Sequence, residues 1–355
     1  MDDHLRQDCF RTDEAYQESI LQGVSRTFAL TIPQLPAPLA RVVSNAYLLC
    51  RIADTIEDEP ALSAEQKQYF AQEFIRVVAA QTPASDFARE LYPRLSHSTL
   101  AAERDLVHHT DTVIRITHGF KRSQRAALEQ CIKIMAAGMA EFQQNRTLAG
   151  LRDLPHLDRY CYHVAGVVGE MLTELFCDYL EEMQAYRKPL SKLGVSFGQG
   201  LQMTNILKDI WEDRRRGACW LPQDVFQRVG FDLRDLSPNH YSEEFRLGLI
   251  ELIGIARLHL RNALTYTLLF PSSEKGIRRF CLWALGMAVL TLRKISQNLD
   301  FTTGRQVKIS RRAVKGTVLL TNLTGRSDAT LRFLFELYTR RLPASKNSIG
   351  APVLE

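Results

Sequence analysis

Apolar side chains recur along this chain every three or four residues, and few stretches alternate between apolar and polar positions. The first spacing puts apolar side chains on one face of an α-helix, whereas strict alternation is typical of a β-strand. Between positions 45 and 58, the recurring positions are Ala46, Leu49, Cys50 and Ala53. The pattern predicts an all-α protein.

Proline and glycine separate the predicted helices. These cover about residues 12–28, 39–58, 63–81, 86–94, 99–118, 122–146, 155–186, 191–215, 241–270, 274–298, 306–323 and 327–341, with a short helical piece at 224–229. No repeat of fixed period and no low-complexity linker divides the sequence. We therefore expect one all-α domain over residues 1–355, with its core at about 17–341 and a loose C-terminal tail from about 343.

Composition and charge exclude some functional classes for this chain. The 355 residues are 45% hydrophobic, and the net charge of +5 is too mild to indicate nucleic acid, although it suits an anionic small substrate or a membrane surface. Seven scattered cysteines without a Cys-x-x-Cys pattern indicate reduced thiols in a cytoplasm. The N-terminus is too polar for a signal peptide, and the longest apolar run, Phe280 to Leu292, is shorter than the roughly 20 residues that span a bilayer. We expect a cytoplasmic protein, at most peripheral at the inner face of the membrane, with no obligate protein partner.

The pattern Asp-x-x-Glu-Asp occurs twice, each time in a mostly apolar predicted helix. The acids are Asp54, Glu57 and Asp58 in the first copy and Asp209, Glu212 and Asp213 in the second. The two aspartates of each copy lie one helical turn apart, where like charges destabilise an isolated helix by roughly 0.2–0.5 kcal/mol. A divalent cation would offset this repulsion, and a solvated acidic helix end is the alternative for either copy alone.

Magnesium suits this doubled pattern when a phosphorylated ligand is present. It keeps several waters and takes only one or two protein carboxylates together with phosphate oxygens. Two acidic helices that face each other would therefore bind a diphosphate through magnesium, and the ions would neutralise it as a leaving group. This predicts ionisation of a diphosphate ester. Arg51 shares a helix face with Asp54 and would contact the diphosphate or form an ion pair with Asp54 or Asp58.

Polar and small residues precede the second acidic pattern. Gln202 and Asn205 lie seven and four residues before Asp209 on its helix face, where an amide suits contact with substrate or metal-bound water. Gly194, Gly198 and Gly200 also precede it, each at a cost of about 1 kcal/mol relative to alanine. Close helix packing and room for a long flexible ligand both explain these glycines.

Aromatic and basic residues are further candidates for catalysis and ligand binding. The Tyr160 hydroxyl would relay a proton or orient a leaving group, with core packing as the alternative. Phe28, Tyr47 and Phe280 would line a cavity and stabilise carbocations with their ring faces, unless they only pack in the core. Late in the chain, a basic stretch would hold phosphates of a second ligand or form a solvated face; its residues are Arg305, Lys308, Arg311, Arg312 and Lys315.

Five segments occur in the order and spacing of the squalene/phytoene synthase family. They are Ser25-Arg26-Thr27-Phe28, DTIED, YCYHVAGVVG, QMTNILKDIWED and FCLWALGMAVL, and the resemblance covers roughly residues 17–325. Within the family, the chain looks most like the bacterial squalene synthases, which are farnesyl-diphosphate farnesyltransferases. The run from Phe280 through VKISRR resembles their nicotinamide-using branch. The resemblance implies an isoprenoid-synthase helical bundle with a central cavity.

The implied reaction joins two farnesyl diphosphates head to head into presqualene diphosphate, and NADPH then reduces this intermediate to squalene. Phytoene, dehydrosqualene or presqualene diphosphate synthesis without the reductive step is the alternative. The resemblance implies that Asp54 and Asp58 bind magnesium, with manganese as a possible substitute, at the first diphosphate. Asp209 and Asp213 would do so at the second, and Tyr160 would transfer a proton in the first half-reaction.

The resemblance assigns further positions to ligands. The implied substrate contacts are Ser25, Arg26, Tyr47, Arg51, Gln202 and Asn205, and the cavity of the second half-reaction is implied at Phe280 and Cys281. Lys308 and Arg311 fall where cofactor phosphates are held. Lys208 departs from the arginine that relatives often carry, and Arg214, Arg215 and Arg216 lie earlier than the relatives' loop arginine. The C-terminal anchor of the eukaryotic enzymes is also absent, so we expect the enzyme to meet its lipid substrate at a membrane surface.

Overall fold

The computed structural model describes residues 2–25, 27–238 and 242–345, with side chains from residue 12 onward. These residues form sixteen α-helices and contain no β-strand; a single isolated bridge pairs Leu151 with Pro222. The all-α fold that the apolar spacing predicts is therefore confirmed.

One compact unit consists of residues 1–144 and 174–184. Its helices are α1 (Asp2–Val24), α2 (Phe28–Thr31), α3 (Ala37–Asp58), α4 (Ala64–Val78), α5 (Ala84–Leu91), α6 (Ala101–His108), α7 (Thr110–His118) and α8 (Arg122–Gln144). Helix α3 is at the centre of this unit because it buries Leu48, Leu49 and Ile52 completely and packs against α4, α6, α7 and α8. The first acidic pattern forms the last turn of this buried helix.

The second compact unit consists of residues 145–173 and 185–355. Its helices are α9 (Leu154–Cys161), α10 (Val167–Tyr179, up to Thr173 in this unit), α11 (Arg187–Arg215), α12 (Gln223–Gln227), α13 (Glu243–Leu269), α14 (Lys275–Gln297), α15 (Arg311–Thr324) and α16 (Asp328–Thr339). Helix α11 packs most extensively against α13, and it carries the second acidic pattern near its C-terminal end.

Three predicted helices differ from the observed ones in informative ways. The helix predicted over 99–118 divides at His109 into α6 and α7. The helix predicted over 155–186 contains a π-helical turn, Tyr162–Gly166, between α9 and α10. The helix predicted over 306–323 begins only at Arg311, because the Ser310 hydroxyl accepts the backbone N–H of Ala313 and caps it.

The glycines of α11 mark a close helix crossing, which resolves the alternative left open by the sequence. A Cβ atom on Gly198 would lie 2.1 Å from the Ala165 carbonyl oxygen. A Cβ atom on Gly169 of α10 would lie 1.9 Å from the Gly194 carbonyl oxygen. These distances are far below van der Waals contact, so the glycines allow backbone to pack directly on backbone.

The predicted single domain stays a prediction, and the predicted loose tail lies mostly outside the described residues. Its first residues lie against α13, where Arg257 donates to the Leu342 carbonyl at 3.0 Å and the Ser345 hydroxyl donates to Glu251 at 2.9 Å. Among the residues that the structure describes, no helix combines the length and the apolar composition needed to cross a bilayer.

Candidate functional site

One aspartate of the first acidic pattern forms an ion pair with Arg51. The Arg51 guanidinium lies 3.7 Å from an Asp54 carboxylate oxygen and 3.6 Å from a Glu103 carboxylate oxygen. The ion pair with Asp54 is therefore formed. Glu103 of α6 is a second acidic partner that the sequence does not reveal, because it lies 52 positions away on a separate helix.

Like charges and burial shift the proton affinities of this pattern. Burial raises the pKa of Asp54 to about 6, and the charges of Asp58 and Glu103 act in the same direction while Arg51 opposes them. Burial also raises the pKa of Glu57 to about 8, with further increases from Asp58 and Asp54. Asp54 and Glu57 thus bind protons more tightly than free carboxyl groups, chiefly because they are buried, and a cation bound beside them would favour their ionised forms.

The Glu57 side chain is hydrogen-bonded to α8. The Gln143 side chain of α8 donates a hydrogen bond to a Glu57 carboxylate oxygen at 2.8 Å. The Lys67 ammonium of α4 donates to the Glu57 backbone carbonyl. Glu57 is therefore held by contacts with α4 and α8, and its role as a metal ligand stays a prediction.

Four of the predicted substrate-contacting residues lie together beside this pattern. The Ser25 hydroxyl accepts the backbone N–H of Phe28 at 2.9 Å, and the Phe28 and Tyr47 ring centroids are 5.2 Å apart. The Tyr47 hydroxyl donates to the Val24 carbonyl and accepts a hydrogen bond from Arg51 at 3.0 Å. Arg26, the fifth predicted contact in this part of the chain, lies outside the described residues.

In the second acidic pattern, Lys208 contacts both Asn205 and Asp209. Its ammonium group donates to the Asn205 side chain at 3.2 Å and lies 3.1 Å from an Asp209 carboxylate oxygen. Burial raises the pKa of Asp209, Lys208 opposes this rise, and the charge of Glu212 adds to it. Gln202 is half-buried and Asn205 exposed on the same helix.

Glu212 has one oxygen engaged and the other unsatisfied. Its Oε1 atom accepts from Arg215 at 2.9 Å, but its buried Oε2 atom has no hydrogen-bond partner among the described residues. Because an unpaired buried carboxylate oxygen is costly, this atom suits a cation.

The loop before α15 covers this oxygen. A Cβ atom on Gly304 would lie 3.3 Å from Asp209 Oδ1 and 3.3 Å from Glu212 Oε2. The Trp211 indole donates to the Phe301 carbonyl at 2.6 Å and fixes the loop on α11. Sequence reasoning missed Gly304; the only signal was a glycine at the start of the basic stretch.

The predicted cofactor residues lie at the end of the same loop. Lys308 is exposed, and its backbone carbonyl accepts a hydrogen bond from Lys294 at 2.6 Å. Arg311 is the exposed first residue of α15. Arg214, in contrast, has a structural role because its guanidinium donates to the carbonyls of Leu148 and Leu233, each at 3.1 Å.

Tyr160 lies in a buried aromatic stack. Its ring is parallel to that of Trp220, with centroids 4.3 Å apart, and only 4% of the residue is exposed. The π-helical turn follows directly, and there the Tyr162 hydroxyl donates to Glu170 at 3.1 Å. Single-turn π-helices are frequent at functional sites, and the apolar pattern gives no sign of one.

Phe280 and Cys281 lie on the buried face of α14. Phe280 is 5% exposed and Cys281 is 1% exposed. Burial raises the pKa of the Cys281 thiol to about 12, so the side chain is a neutral, apolar group. Both residues are thus suited to contact a hydrocarbon, and their role in a cavity stays a prediction.

The carboxylates fit a hard cation only together with further ligands. The described residues contain no group of three or more His, Cys, Asp or Glu side chains arranged around one metal position. Magnesium takes oxygen ligands and fills much of its shell with water and phosphate, so pairs of aspartates remain suitable. Whether α3 and α11 converge on one ligand stays a prediction, because they belong to separate compact units.

Comparison with known proteins connects these features to one family. The sequence profile of the squalene/phytoene synthase family matches residues 21–313. The chain is 28% identical over 325 residues to the squalene synthase of Eremothecium gossypii. This alignment covers 90% of this chain and 70% of that protein. It is 29% identical to the squalene synthase of Solanum lycopersicum, covering 80% of this chain and 65% of that protein. The chain spans between 62% and 70% of the length of such curated relatives.

Solved structures share the fold. A complex of the squalene synthase TcSQS with the ligand BPH1237 aligns with a TM-score of 0.75 at 23% identity, covering 96% of this chain and 94% of that one. A dehydrosqualene synthase bound to a ligand aligns with a TM-score of 0.66 at 20% identity, covering 90% and 99%. These similarities confirm the predicted isoprenoid-synthase helical fold.

Proposed function

Because this chain belongs to the squalene/phytoene synthase family, we propose that it is a squalene synthase. It joins two farnesyl diphosphates into presqualene diphosphate and then reduces this intermediate to squalene with NADPH. The observation that carries the proposal is the similarity to proteins named squalene synthase. In the first of these, the match covers 90% of the chain and thus includes both acidic patterns and the segment from Phe280 to Arg312.

Magnesium is held by Asp54 and Asp58 in one unit and by Asp209 and Asp213 in the other. The unsatisfied Glu212 oxygen supports this, because a buried carboxylate oxygen without a hydrogen-bond partner suits a cation. At the first pattern, the charge of Asp58 contributes to the raised pKa of Asp54, and a cation between the two would relieve this repulsion. When bound, magnesium neutralises the charge that develops on a departing diphosphate.

Arg51 binds diphosphate oxygens, and its present partners explain how it is oriented. Asp54, Glu103 and the Tyr47 hydroxyl surround the guanidinium and leave it partly exposed. A guanidinium donates several hydrogen bonds in a fixed plane, so it can keep these partners while it contacts a phosphate. Phe28 and Tyr47 present ring faces close to the same position, where they stabilise positive charge on the ionised substrate.

Tyr160 moves a proton in the first half-reaction. Its stacking on Trp220 fixes the plane of the ring and therefore the position of the hydroxyl.

Lys308 and Arg311 bind phosphate groups of NADPH, which supplies the hydride of the second half-reaction. Their side chains form no ion pair with described residues and are exposed, so both are available to an anionic ligand. Gly304 and Trp211 connect this loop to the second acidic pattern, and the two functions thus share one structural support.

Analysis of the product by mass spectrometry tests the proposal. Purified protein is incubated with farnesyl diphosphate and magnesium, with and without NADPH. Squalene that forms only with NADPH is the expected result. Phytoene formed from geranylgeranyl diphosphate without any dependence on a nicotinamide would refute the proposal.

A sister enzyme without the reductive step is the second candidate, and the similarity to a dehydrosqualene synthase structure favours it. The Lys308→Ala variant separates the two. We expect this variant to accumulate presqualene diphosphate. An unchanged product distribution favours the sister enzyme.

A further inference from the structure

Helices α15 and α16 expose unusually large apolar side chains. Among the described residues, the three most exposed large hydrophobic side chains are Leu323 at 76%, Phe333 at 65% and Leu319 at 63%. Leu337 is a fourth exposed apolar residue on the same pair of helices. Single exposed leucines are ordinary, but such a concentration on neighbouring elements marks an interaction surface.

The exposed residues follow the helical period. Leu319 and Leu323 lie one turn apart on α15, and Phe333 and Leu337 lie one turn apart on α16. Only Gly325, Arg326 and Ser327 connect the two helices. Leu323, in the last turn of α15, and Phe333, in the second turn of α16, therefore both lie near this corner.

The charge of this segment is strongly positive. Residues 305–345 contain nine lysines and arginines but only two acids. Asp328 pairs with Arg278 at 2.7 Å and Glu336 pairs with Arg261 at 3.0 Å, so helices α14 and α13 already neutralise both acids. The exposed basic side chains that form no ion pair with described residues include Arg312, Lys315, Arg326, Arg332, Arg340 and Arg341.

The same helices surround unfilled apolar space. A groove of about 480 Å³ lies between α14, α15 and α16. Its lining includes Leu285, Leu320, Leu331 and Phe335. Both helices therefore keep apolar surface that no other described residue covers.

We propose that the α15–α16 surface, defined by Leu319, Leu323, Arg326, Arg332, Phe333 and Leu337, docks on an anionic lipid bilayer. Leucine and phenylalanine side chains flanked by arginines are typical of helices that lie in a membrane interface. Each basic residue near an anionic surface contributes attraction, and the leucines and phenylalanine insert between the headgroups. A second copy of this chain fits less well, because two surfaces of the same positive charge repel each other.

Membrane docking by this surface is independent of the reaction that the chain catalyses. Its residues are distinct from the acidic patterns, from Tyr160 and from the proposed cofactor residues Lys308 and Arg311. Binding to vesicles without any substrate therefore tests it directly, and product analysis tests the reaction separately.

The test measures co-sedimentation of the full chain with vesicles. One set contains equal amounts of phosphatidylglycerol and phosphatidylcholine, and the other contains phosphatidylcholine alone. We expect binding to the anionic vesicles at low salt, about tenfold weaker binding to the neutral ones, and loss of the difference at high salt.

Substitutions locate the surface. The Leu323→Ser/Phe333→Ser double variant is expected to bind the anionic vesicles about tenfold more weakly, because it removes two inserting side chains. Leu100→Ser is the matched control, since Leu100 is 61% exposed but lies in the other compact unit. Arg326→Gln/Arg332→Gln is expected to weaken binding and to reduce its dependence on salt.

Fluorescence gives a second measurement if the serine variants do not fold. Leu323→Trp is expected to show a blue shift with anionic vesicles, and Leu100→Trp none. Equal shifts in both variants, equal binding to both vesicle types, or no binding by the folded wild-type chain would each overturn the proposal. Self-association that the serine double variant abolishes, without vesicle binding, would instead assign the surface to a second copy.

Discussion

At the scale of single residues, the first acidic pattern shows why charges in a helix need partners from elsewhere. The sequence puts Arg51 on the face of Asp54, and the structure confirms the resulting ion pair. Glu103 adds a further negative charge, so Arg51 lies close to two carboxylates. Burial is the main cause of the raised pKa of Asp54, and the charges of Asp58 and Glu103 add to it, so a cation bound beside Asp54 would favour its ionised form.

We expect Asp54→Asn and Asp209→Asn each to lower the turnover number by about a thousandfold or more, because each removes a proposed metal ligand. Steady-state kinetics with farnesyl diphosphate and magnesium measure this. Asp86→Asn is the control, because Asp86 is an exposed acid whose only ion pair with described residues is with Arg89. Wild-type turnover in a folded Asp54→Asn protein would contradict the assignment.

Tyr160→Phe should block the formation of presqualene diphosphate while leaving the fold intact. Phenylalanine keeps the ring that stacks on Trp220 and removes only the hydroxyl. Proton transfer by a positioned side chain contributes about a hundredfold to ten-thousandfold to rate, and the loss should lie in that range. Single-turnover assays measure the rate and circular dichroism measures the fold. A normal rate of presqualene diphosphate formation in this variant would show that Tyr160 only packs in the core.

The buried His259 should make the folded protein less stable in acid. Burial lowers its pKa to about 4, and its Nδ1 atom lies 2.8 Å from the Ser196 hydroxyl, which also accepts a hydrogen bond from Asn262. Above pH 6.5, His259 is neutral in both the folded and the unfolded chain. As pH falls from 6.5 towards 4, the unfolded chain takes up the proton first, and folding loses up to about 3 kcal/mol.

Urea unfolding of wild type and His259→Gln between pH 7 and pH 5 checks this sign. The free energy of unfolding should fall more steeply towards pH 5 in the wild type, because glutamine does not titrate. Parallel slopes in the two proteins would show that another group is responsible.

At the scale of elements, the crossing of α11 with α10 and its π-helical turn determines how closely the second unit packs. Gly198 meets the carbonyl of Ala165, and Gly169 meets the carbonyl of Gly194. No side chain can be accommodated between these backbones unless a helix moves. The glycines' cost in helix propensity is thus offset by contact that only this crossing provides.

Two glycine-to-alanine variants should therefore have opposite effects. Gly198→Ala places a Cβ atom 2.1 Å from a carbonyl oxygen and should lower the free energy of unfolding by about 3 kcal/mol or more. Gly316→Ala, in helix α15, places its Cβ atom more than 4 Å from any other group and should raise it by about 1 kcal/mol. Chemical denaturation of both variants provides the comparison. Equal effects would mean that helix propensity, and not the crossing, determines stability.

At the scale of the whole molecule, the two acidic patterns lie in separate compact units. If both take part in one reaction, their ligands must bind together. Magnesium alone finds only pairs of carboxylates and should bind weakly. A diphosphate alone is repelled by the carboxylates of each pattern unless a cation lies between them.

Magnesium and a non-hydrolysable thiol analogue of farnesyl diphosphate should therefore raise the melting temperature by several degrees only when they are added together. Differential scanning fluorimetry measures the shift. Asp54→Asn/Asp209→Asn should abolish it, whereas Asp86→Asn should retain it. A full shift with either component alone would contradict joint binding.

The sequence by itself determined the helical class, most helix positions and the two acidic patterns. These depend on local periodicity and on charges within one turn, both of which are properties of neighbouring residues. The late start of α15 had a local cause that the apolar pattern does not register, because a single serine caps the helix.

Only the tertiary structure decided which distant groups meet. Glu103 forms an ion pair with Arg51, Gln143 donates a hydrogen bond to Glu57, and Gly304 lies close to Asp209, although the residues of each pair are far apart in the chain. It also decided that the α11 glycines serve packing and that leucines of α15 and α16 stay exposed. The physical reason is that burial and proximity, which set these pKa values and exposures, depend on how helices pack and not on the order of their residues.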